Sequence, residues 1–310
     1  MTTLFLSHPA CLLHETFPGH PECPDRLRAV ERALEDEKFA LLAREQAPLG
    51  TEADVLRCHG RQYVEQLRAL APTDNRLVEV DGDTTMSMGT WEAALRGVGG
   101  AVRAVDEVLG GQVTNAFVAT RPPGHHAERN RAMGFCFFNN AAIAARHAIE
   151  AHGLERVAIV DWDVHHGNGT QNIFWDDPAV LYCSTHEAPL FPHTGDMGER
   201  GEHGNIVNIP LTPGTNGRTY REIFDLMVLP RVDSFKPDLV IISAGFDAHW
   251  RDPLANINLT ENDFGWATRR LLDLADRRSR RRVVSVLEGG YDLDALQRST
   301  AAHVEALMAG

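Results

Sequence analysis

Asp161, Asp163, His165 and His166 fall within six positions and carry the strongest chemical signal in the chain. They follow the apolar run Val157-Ala-Ile-Val160, which reads as a buried strand. They precede Gly167 and Gly169, which read as a tight turn. Alternate side chains of an extended chain share a face, so Asp161, Asp163 and His165 are expected together at the strand's C-terminal end. Open α/β sheets place their ligand crevice at that end. An Asp-x-His pair there offers one oxygen and one nitrogen to a divalent ion.

Other strand ends repeat the pattern. The run Thr114–Thr120 leads into Arg121-Pro-Pro-Gly-His-His126, and Val180–Thr185 carries Ser184 and ends in His186. Asp238–Ser243 leads to Asp247, and Val283–Leu287 to Glu288-Gly-Gly-Tyr291. In a parallel sheet these ends lie along one edge, and their ionisable groups gather there. Asp163, His165 and Asp247 then supply three metal ligands and leave a position open for water. A bound ion lowers the pKa of that water to roughly 7 and polarises a carbonyl. His125 and His126 are placed to move protons, and Tyr291 to donate a hydrogen bond to a developing oxyanion. The assembly reads as a hydrolase of an amide or ester bond. Covalent routes are weaker. Ser184 lacks a G-x-S-x-G elbow, and Cys136 and Cys183 sit in apolar surroundings where thiols are inert.

These groups need a scaffold, and the rest of the chain supplies one. Leu4–His8 reads as a short strand, followed by a loop with His14, His20 and Cys23 that matches no zinc spacing and reads as loop packing. Asp25 reads as the cap of a helix from Arg26 to Phe39. Glu52–Leu70 reads as helical, and Leu77–Asp83 as extended or loop. Trp91–Leu109 reads as a long helix whose Gly97, Gly99 and Gly100 predict a close neighbour. Further helices are predicted over Asn139–His152, Tyr220–Arg231 and Glu261–Arg277, the last capped by Thr260. The Gly-rich loop Glu187–Gly204 is long enough to be functional. Strands alternate with helices from Thr114 onward without a linker or repeat, which predicts one α/β domain, residues 1–310, with a parallel sheet.

Composition narrows the partners. A formal net charge of -13, with Lys only at Lys38 and Lys236, argues against nucleic acid. Five cysteines (Cys11, Cys23, Cys58, Cys136 and Cys183) form no C-x-x-C pair and read as free thiols of a reducing compartment. No signal peptide is apparent, and no apolar run approaches the roughly 20 residues of a membrane span. A cytoplasmic protein is expected.

Five motifs resemble the histone deacetylase superfamily, closest to its class II and bacterial amidohydrolase members. They are Arg121-Pro-Pro-Gly-His-His126, Gly134-Phe-Cys-Phe-Phe-Asn139, Asp161-Trp-Asp-Val-His-His-Gly-Asn-Gly-Thr170, Ser243-Ala-Gly-Phe-Asp247 and Glu288-Gly-Gly-Tyr291. The resemblance begins in the loop that ends His-Pro-Glu-Cys-Pro-Asp-Arg26 and spans nearly the whole chain. It implies the arginase-deacetylase fold: three layers, with a central, mostly parallel eight-stranded sheet between helices. It implies Zn²⁺ on Asp163, His165 and Asp247; two carboxylates make this set harder than a His-rich zinc site, so Fe²⁺ is the other candidate. It implies His126 as general base and acid. His125 would be its electrostatic partner, hydrogen-bonded by Asp161, and Tyr291 the transition-state tyrosine. Asn168 stands where some relatives carry Asp and would orient His126 without adding charge. Phe135 and Phe191, with Gly134, resemble the aromatic walls of a tunnel for an acyl-lysine stem, whereas Phe137 and Phe138 read as core. Ser184, with main-chain oxygens of Asp161, Asp163 and His165, matches a structural potassium site, and Phe174 lies in a second. His166 and His186 are read as structural. Asp83 is expected at the rim.

The implied activity is removal of acetyl or other acyl groups from the side-chain amine of lysine in peptides or proteins, or from small acetylated amines. Acetylpolyamines are the alternative substrates. Polyamine-preferring relatives carry an acidic gatekeeper after an Asp-Pro pair, and Asp252-Pro253 here is followed by Leu254. A non-catalytic acyl-binding module would want a damaged site, and every catalytic position is filled. A two-metal arginase-like centre would need more Asp ligands.

Overall fold

Apolar β-branched runs that lie between helices form the centre of the molecule. The structure, a computed structural model, describes residues 2–310. In chain order the strands are β1 (Thr3–Ser7), β2 (Ala43–Gln46), β3 (Val78–Asp81), β4 (Thr84–Met86), β5 (Asn115–Val118), β6 (Val157–Asp161), β7 (Val180–Glu187), β8 (Ile206–Leu211), β9 (Leu239–Ala244) and β10 (Val283–Leu287). The helices are α1 (Pro24–Ala33), α2 (Glu52–Val55), α3 (Arg61–Leu70), α4 (Thr90–Leu109), α5 (Asn140–His152), α6 (Asn168–Phe174), α7 (Gly217–Ile223), α8 (Leu229–Phe235), α9 (Glu261–Arg278) and α10 (Leu293–Ala309).

Eight strands form one sheet in the order β2-β1-β5-β10-β9-β6-β7-β8, and every pairing is parallel. The central strands β6, β9 and β10 are buried at every residue, as parallel strands covered on both faces are. One face packs on Val30 of α1, Phe264 and Leu271 of α9, and Val304 of α10. The other packs on Val64 of α3, Val98 and Val105 of α4, and Ile143 of α5. This is the expected three-layer α/β architecture. The glycines of α4 are explained by contact. A Cβ on Gly97 would stand 2.9 Å from the Asn140 amide nitrogen, and one on Gly99 2.1 Å from the Pro48 carbonyl oxygen.

Several boundaries differ from the sequence reading. Helix α1 is capped at Cys23 with Pro24 in its first turn, so Asp25 is a first-turn acid and not the cap. It stops at Ala33, short of Phe39. The region 52–70 splits into α2 and α3 around Gly60. Strand β2 has the mostly exposed, polar sequence Ala-Arg-Glu-Gln, which carries no strand signal because it is an edge. Helices α7 and α8 join through a π turn at Phe224–Val228 and extend beyond the expected 220–231 at both ends. Thr260 caps α9 as expected, in a capping box with Asp263.

The loop between β1 and α1 is more than packing. Glu22 is fully buried and accepts from Arg121 Nε at 2.6 Å, Arg121 Nη2 at 2.7 Å and Arg26 Nη1 at 3.1 Å. Arg121 Nη1 donates to the carbonyls of Cys11 and His14. Arg26 Nε donates to the Gly290 carbonyl at 2.7 Å. One carboxylate thereby ties the N-terminal loop, the end of β5 and the segment after β10 together. Burial opposes its charge, but Arg121 and Arg26 hold it well below the usual carboxylate range. Glu22→Gln leaves two buried guanidinium groups short of a counter-charge. The expected loss is about 3–5 kcal/mol of unfolding free energy, read by urea denaturation. A loss below about 1 kcal/mol would mean the cluster is not an anchor.

Candidate active site

The C-terminal ends of β5, β6, β9 and β10 converge on one crevice. Strand β6 stops at Asp161, so strand alternation does not place Asp163 and His165; the turn after the strand does. His165 Nδ1 lies 3.1 Å from Asp163 Oδ1 and 3.1 Å from Asp247 Oδ2. Asp163 Oδ2 accepts from Gly289 N at 2.8 Å, and Asp247 Oδ1 from Val164 N at 2.8 Å. Asp247 thus spends one oxygen on the backbone and aims the other at the imidazole, while Asp163 Oδ1 meets the imidazole and also accepts from His165 N at 2.9 Å. The three ligand atoms lie within 4.8 Å of one another. Two carboxylate oxygens and one imidazole nitrogen around a point are a donor set that fits a divalent ion. The surrounding backbone fits it too. A Cβ on Gly245 would stand 2.1 Å from Asp163 Oδ2, and one on Gly289 2.1 Å from Asp247 Oδ2.

Electrostatics separates the groups. Burial penalises the His165 cation, but its hydrogen bonds to Asp163 and Asp247 outweigh that and raise its pKa to about 10. Burial and the Asp163 charge push Asp247 up to about 7. Asp163 goes the other way. Burial works against its charge, but His125 and His165 hold it below the usual carboxylate range. Of the two carboxyls, Asp163 therefore carries the charge first. Glu288, fully buried, is raised to about 7 by burial; it accepts from Gly124 N and His125 N.

The adjacent histidines are driven apart. His125 Nδ1 lies 3.0 Å from Asp161 Oδ2, which also accepts from the Tyr182 hydroxyl at 2.9 Å. Burial disfavours its cation, yet the Asp163 and Asp161 carboxylates raise its pKa well above that of free histidine. His126 is lowered well below, by burial and by the neighbouring His125 and His165. His126 Nδ1 lies 2.8 Å from Asn168 Oδ1, and Asn168 Nδ2 donates to Glu128 Oε1 at 2.8 Å. The Glu128 carboxylate accepts only, so it fixes the amide with its oxygen toward His126. His126 then carries its proton on Nδ1 and keeps Nε2 free. Gly134 lets this happen: its φ is +56°, and a Cβ there would stand 2.4 Å from the His126 ring.

A pocket of about 280 Å³ opens onto these groups, lined by Asp83, His126, Gly134, Phe135, His165, Leu190, Phe191, Leu254 and Tyr291. Phe191 meets His126 edge-on at 5.1 Å, and Phe135 meets Tyr291 at 5.9 Å. The loop 187–204 places Phe191 and is pinned by the two histidines read as structural. His166 Nδ1 is 2.8 Å from Thr194 Oγ1, and His186 Nε2 is 3.0 Å from the Gly195 carbonyl. Phe137 and Phe138 are core. Ser184 pairs with Asp161 in the β6–β7 register, and its Oγ lies 2.9 Å from His186 Nδ1. The Phe174 carbonyl accepts from Asn205 Nδ2 at 2.7 Å. All five cysteines are free, and burial pushes the Cys183 thiol up to about 12.

Four residues to which the sequence reading gave no role at the site support it. Glu128 orients Asn168. The Arg26 guanidinium lies 4.8 Å from the centre of the Tyr291 ring. Asp252 accepts from Tyr291 N at 2.7 Å and Leu254 N at 3.0 Å, which ties the tyrosine to the pocket wall. His20, read as loop packing, sits edge-on to Phe135 at 4.7 Å. His20, Arg26 and Asp252 lie in stretches that drew notice for other reasons; Glu128 acts through a contact that no local pattern encodes.

The sequence profile of the histone deacetylase domain matches residues 20–307. A probable deacetylase of Archaeoglobus fulgidus is 40% identical over 319 aligned residues, covering 100% of this chain and 87% of the relative. A histone deacetylase-like amidohydrolase of Pseudomonas aeruginosa is 40% identical over 278 residues, 88% of this chain and 73% of that one. The crystal structure of the HDA15 HD domain superposes with a TM-score of 0.94 at 36% identity, over 99% of this chain and 88% of that chain.

The glycine contacts generate a direct test. Gly289→Ala should displace Asp247 Oδ2 and weaken divalent-metal binding by roughly 10–100-fold, read by competition with a chromophoric chelator, with circular dichroism to verify the fold. Undiminished affinity in a folded variant would mean that this carboxylate does not hold the ion.

Proposed function

The chain belongs to the histone deacetylase family, and from that premise we propose that it removes acetyl groups from lysine side chains carried on peptides. We assign Zn²⁺, with Fe²⁺ as the other candidate, to Asp163, His165 and Asp247. The observation that carries the proposal is the narrow aromatic pocket with His126, His165 and Tyr291 among its lining. The Phe135 and Phe191 rings in its wall suit an uncharged alkyl stem and make no polar demand on it.

When bound, the ion lowers the pKa of a water to roughly 7 and polarises the amide carbonyl. The chain's own residues do the rest. His126 accepts the water's proton at Nε2, since Nδ1–H is engaged with Asn168. It returns that proton to the leaving amine. His125, held by Asp161, keeps a positive charge beside the centre and offsets the carboxylates. Tyr291 stays a neutral phenol, because burial pushes its pKa well above 10. It donates to the oxygen on which charge develops. Arg26 behind the ring and Asp252 on its backbone orient it. The structural potassium ions implied for Ser184 and Phe174 remain part of the proposal, as does a cytoplasmic location. No helix among the described residues is long and apolar enough to cross a membrane.

The alternative substrate is an acetylpolyamine. Its favourable feature is Asp83, a carboxylate on the pocket lining. One oxygen of that group, Oδ1, is engaged, accepting from Gly134 N at 3.1 Å and Thr84 Oγ1 at 2.8 Å. The gatekeeper position holds Leu254, with no charge to pair with a distant ammonium. An acid there would add a charge-assisted contact of about 1.5–3 kcal/mol. Acetyl-lysine peptides are therefore expected to show the higher kcat/KM, with turnover abolished by a chelator. Leu254→Glu should shift the ratio toward acetylspermidine by roughly tenfold or more. A native preference for acetylpolyamines, or a ratio unmoved by Leu254→Glu, would defeat the substrate assignment.

A further inference from the structure

A second group of metal-ligating side chains lies away from the crevice. Asp106 stands near the end of α4, and His147 and His152 on the last turns of α5. His147 Nε2 lies 2.6 Å from Asp106 Oδ1, and His152 Nε2 lies 2.7 Å from the same oxygen. The three ligand atoms all lie within 4.8 Å of one another, as do those of Asp163, His165 and Asp247. We propose that Asp106, His147 and His152 form a second, structural divalent-metal site that takes Zn²⁺ or a metal of similar softness and staples α4 to α5.

Four features support it. Two imidazole nitrogens and a carboxylate oxygen are the donor set that zinc takes with an added water. Helix geometry alone does not bring the histidines together. Five residues along a helix separate two side chains by about 140°, yet these rings lie 5.3 Å apart and both aim Nε2 at one atom. The site sits where two helix C-termini meet, and the carbonyl ends of both helices favour a cation there. It is graded in exposure: the His147 side chain is 10% exposed, His152 28% and Asp106 40%. One ligand is thus fixed in the protein while the open side admits an ion and a completing water. The nearby Arg103 does not fill the place of the cation, since it bonds Glu45 at 3.2 Å and Glu107 at 2.9 Å.

The position defines the role. Helix C-termini in this fold lie at the edge where strands begin, opposite the crevice. At its other end α5 begins beside Asn139, whose amide donates to the carbonyls of His125 and Ala127 and to Thr170. The ion would fix the far end of a helix that starts at the catalytic segment. It takes no part in the reaction.

Calorimetric titration of the metal-stripped full chain with Zn²⁺ tests this. The native chain should bind two equivalents. His152→Ala and, separately, Asp106→Asn should each bind one, with deacetylase turnover at saturating Zn²⁺ unchanged and the thermal stabilisation by the second equivalent lost. Either side chain is solvent-accessible, so both variants should fold. One equivalent in the native chain, or two in both variants, would overturn the proposal.

Discussion

Carboxylates taken out of water destabilise a fold unless opposite charge goes with them. The crevice of this protein holds Asp161, Asp163, Asp247 and Glu288, all at most 1% exposed. Much of the architecture around them compensates this concentration of negative charge. Backbone N–H groups of Val164, Gly289, Gly124 and His125 point at the oxygens. His125 and His165 take up protons that histidines in water would release. The charge that remains is what the proposed divalent ion would neutralise, at the same place where it would supply the chemistry. Fold stability and catalytic competence thus share one electrostatic condition.

A complementary excess of positive charge flanks the crevice. Arg26 and Arg121 share the single carboxylate of Glu22, and Arg26 reaches past it to the Gly290 carbonyl and the Tyr291 ring. The cationic cluster fixes the hinge on which Tyr291 sits, while the anionic centre gathers the candidate metal ligands. His126 stands between them as an imidazole kept neutral by burial and by the neighbouring His125 and His165, while Asn168 offers it an amide oxygen and adds no charge. Two adjacent histidines with opposed protonation preferences separate the holding of charge from the movement of a proton.

The sheet and the residues gathered at its edge were legible in the sequence because buried parallel strands are written as continuous β-branched runs. Each run ended in a short polar motif whose residue types had no structural reason to be there. Asp163, His165, Asp247, the His125–His126 pair and Tyr291 all came from such ends, and the structure brings them together. The Gly97 and Gly99 contacts were foreseen from helix propensity alone. What was not legible depends on the third dimension. Glu22 meets Arg121 across 99 positions, and Glu128 reaches His126 only through Asn168 on another element. Edge strand β2 hides in a polar sequence because no face of it is fully buried. Strand alternation also misled: β6 ends at Asp161, and a turn, not a strand, delivers the next two ligands.

If buried carboxylates need the ion, the ion-free chain must become less stable as it loses protons. Asp247 and Glu288 keep protons up to about 7 in the fold but only to about 4 when unfolded, so their contribution is lost as pH rises through that interval. His165 keeps its proton to about 10 against about 6.5 unfolded, so its contribution is complete at low pH and lost as pH rises toward 10. Both act in the same direction. The decisive measurement is urea unfolding of the chain with and without bound Zn²⁺ from about pH 5 to pH 9, in the His152→Ala background so that only the buried centre is read. Histidines buried in the neutral form, such as His186 and His303, add an opposite slope at the acid end, but they add it to both forms alike. The account therefore predicts that the ion-free chain loses stability relative to the loaded chain as pH rises, so the gap between the two curves widens. Parallel curves, or equal stability of the two forms at the alkaline end, would contradict it.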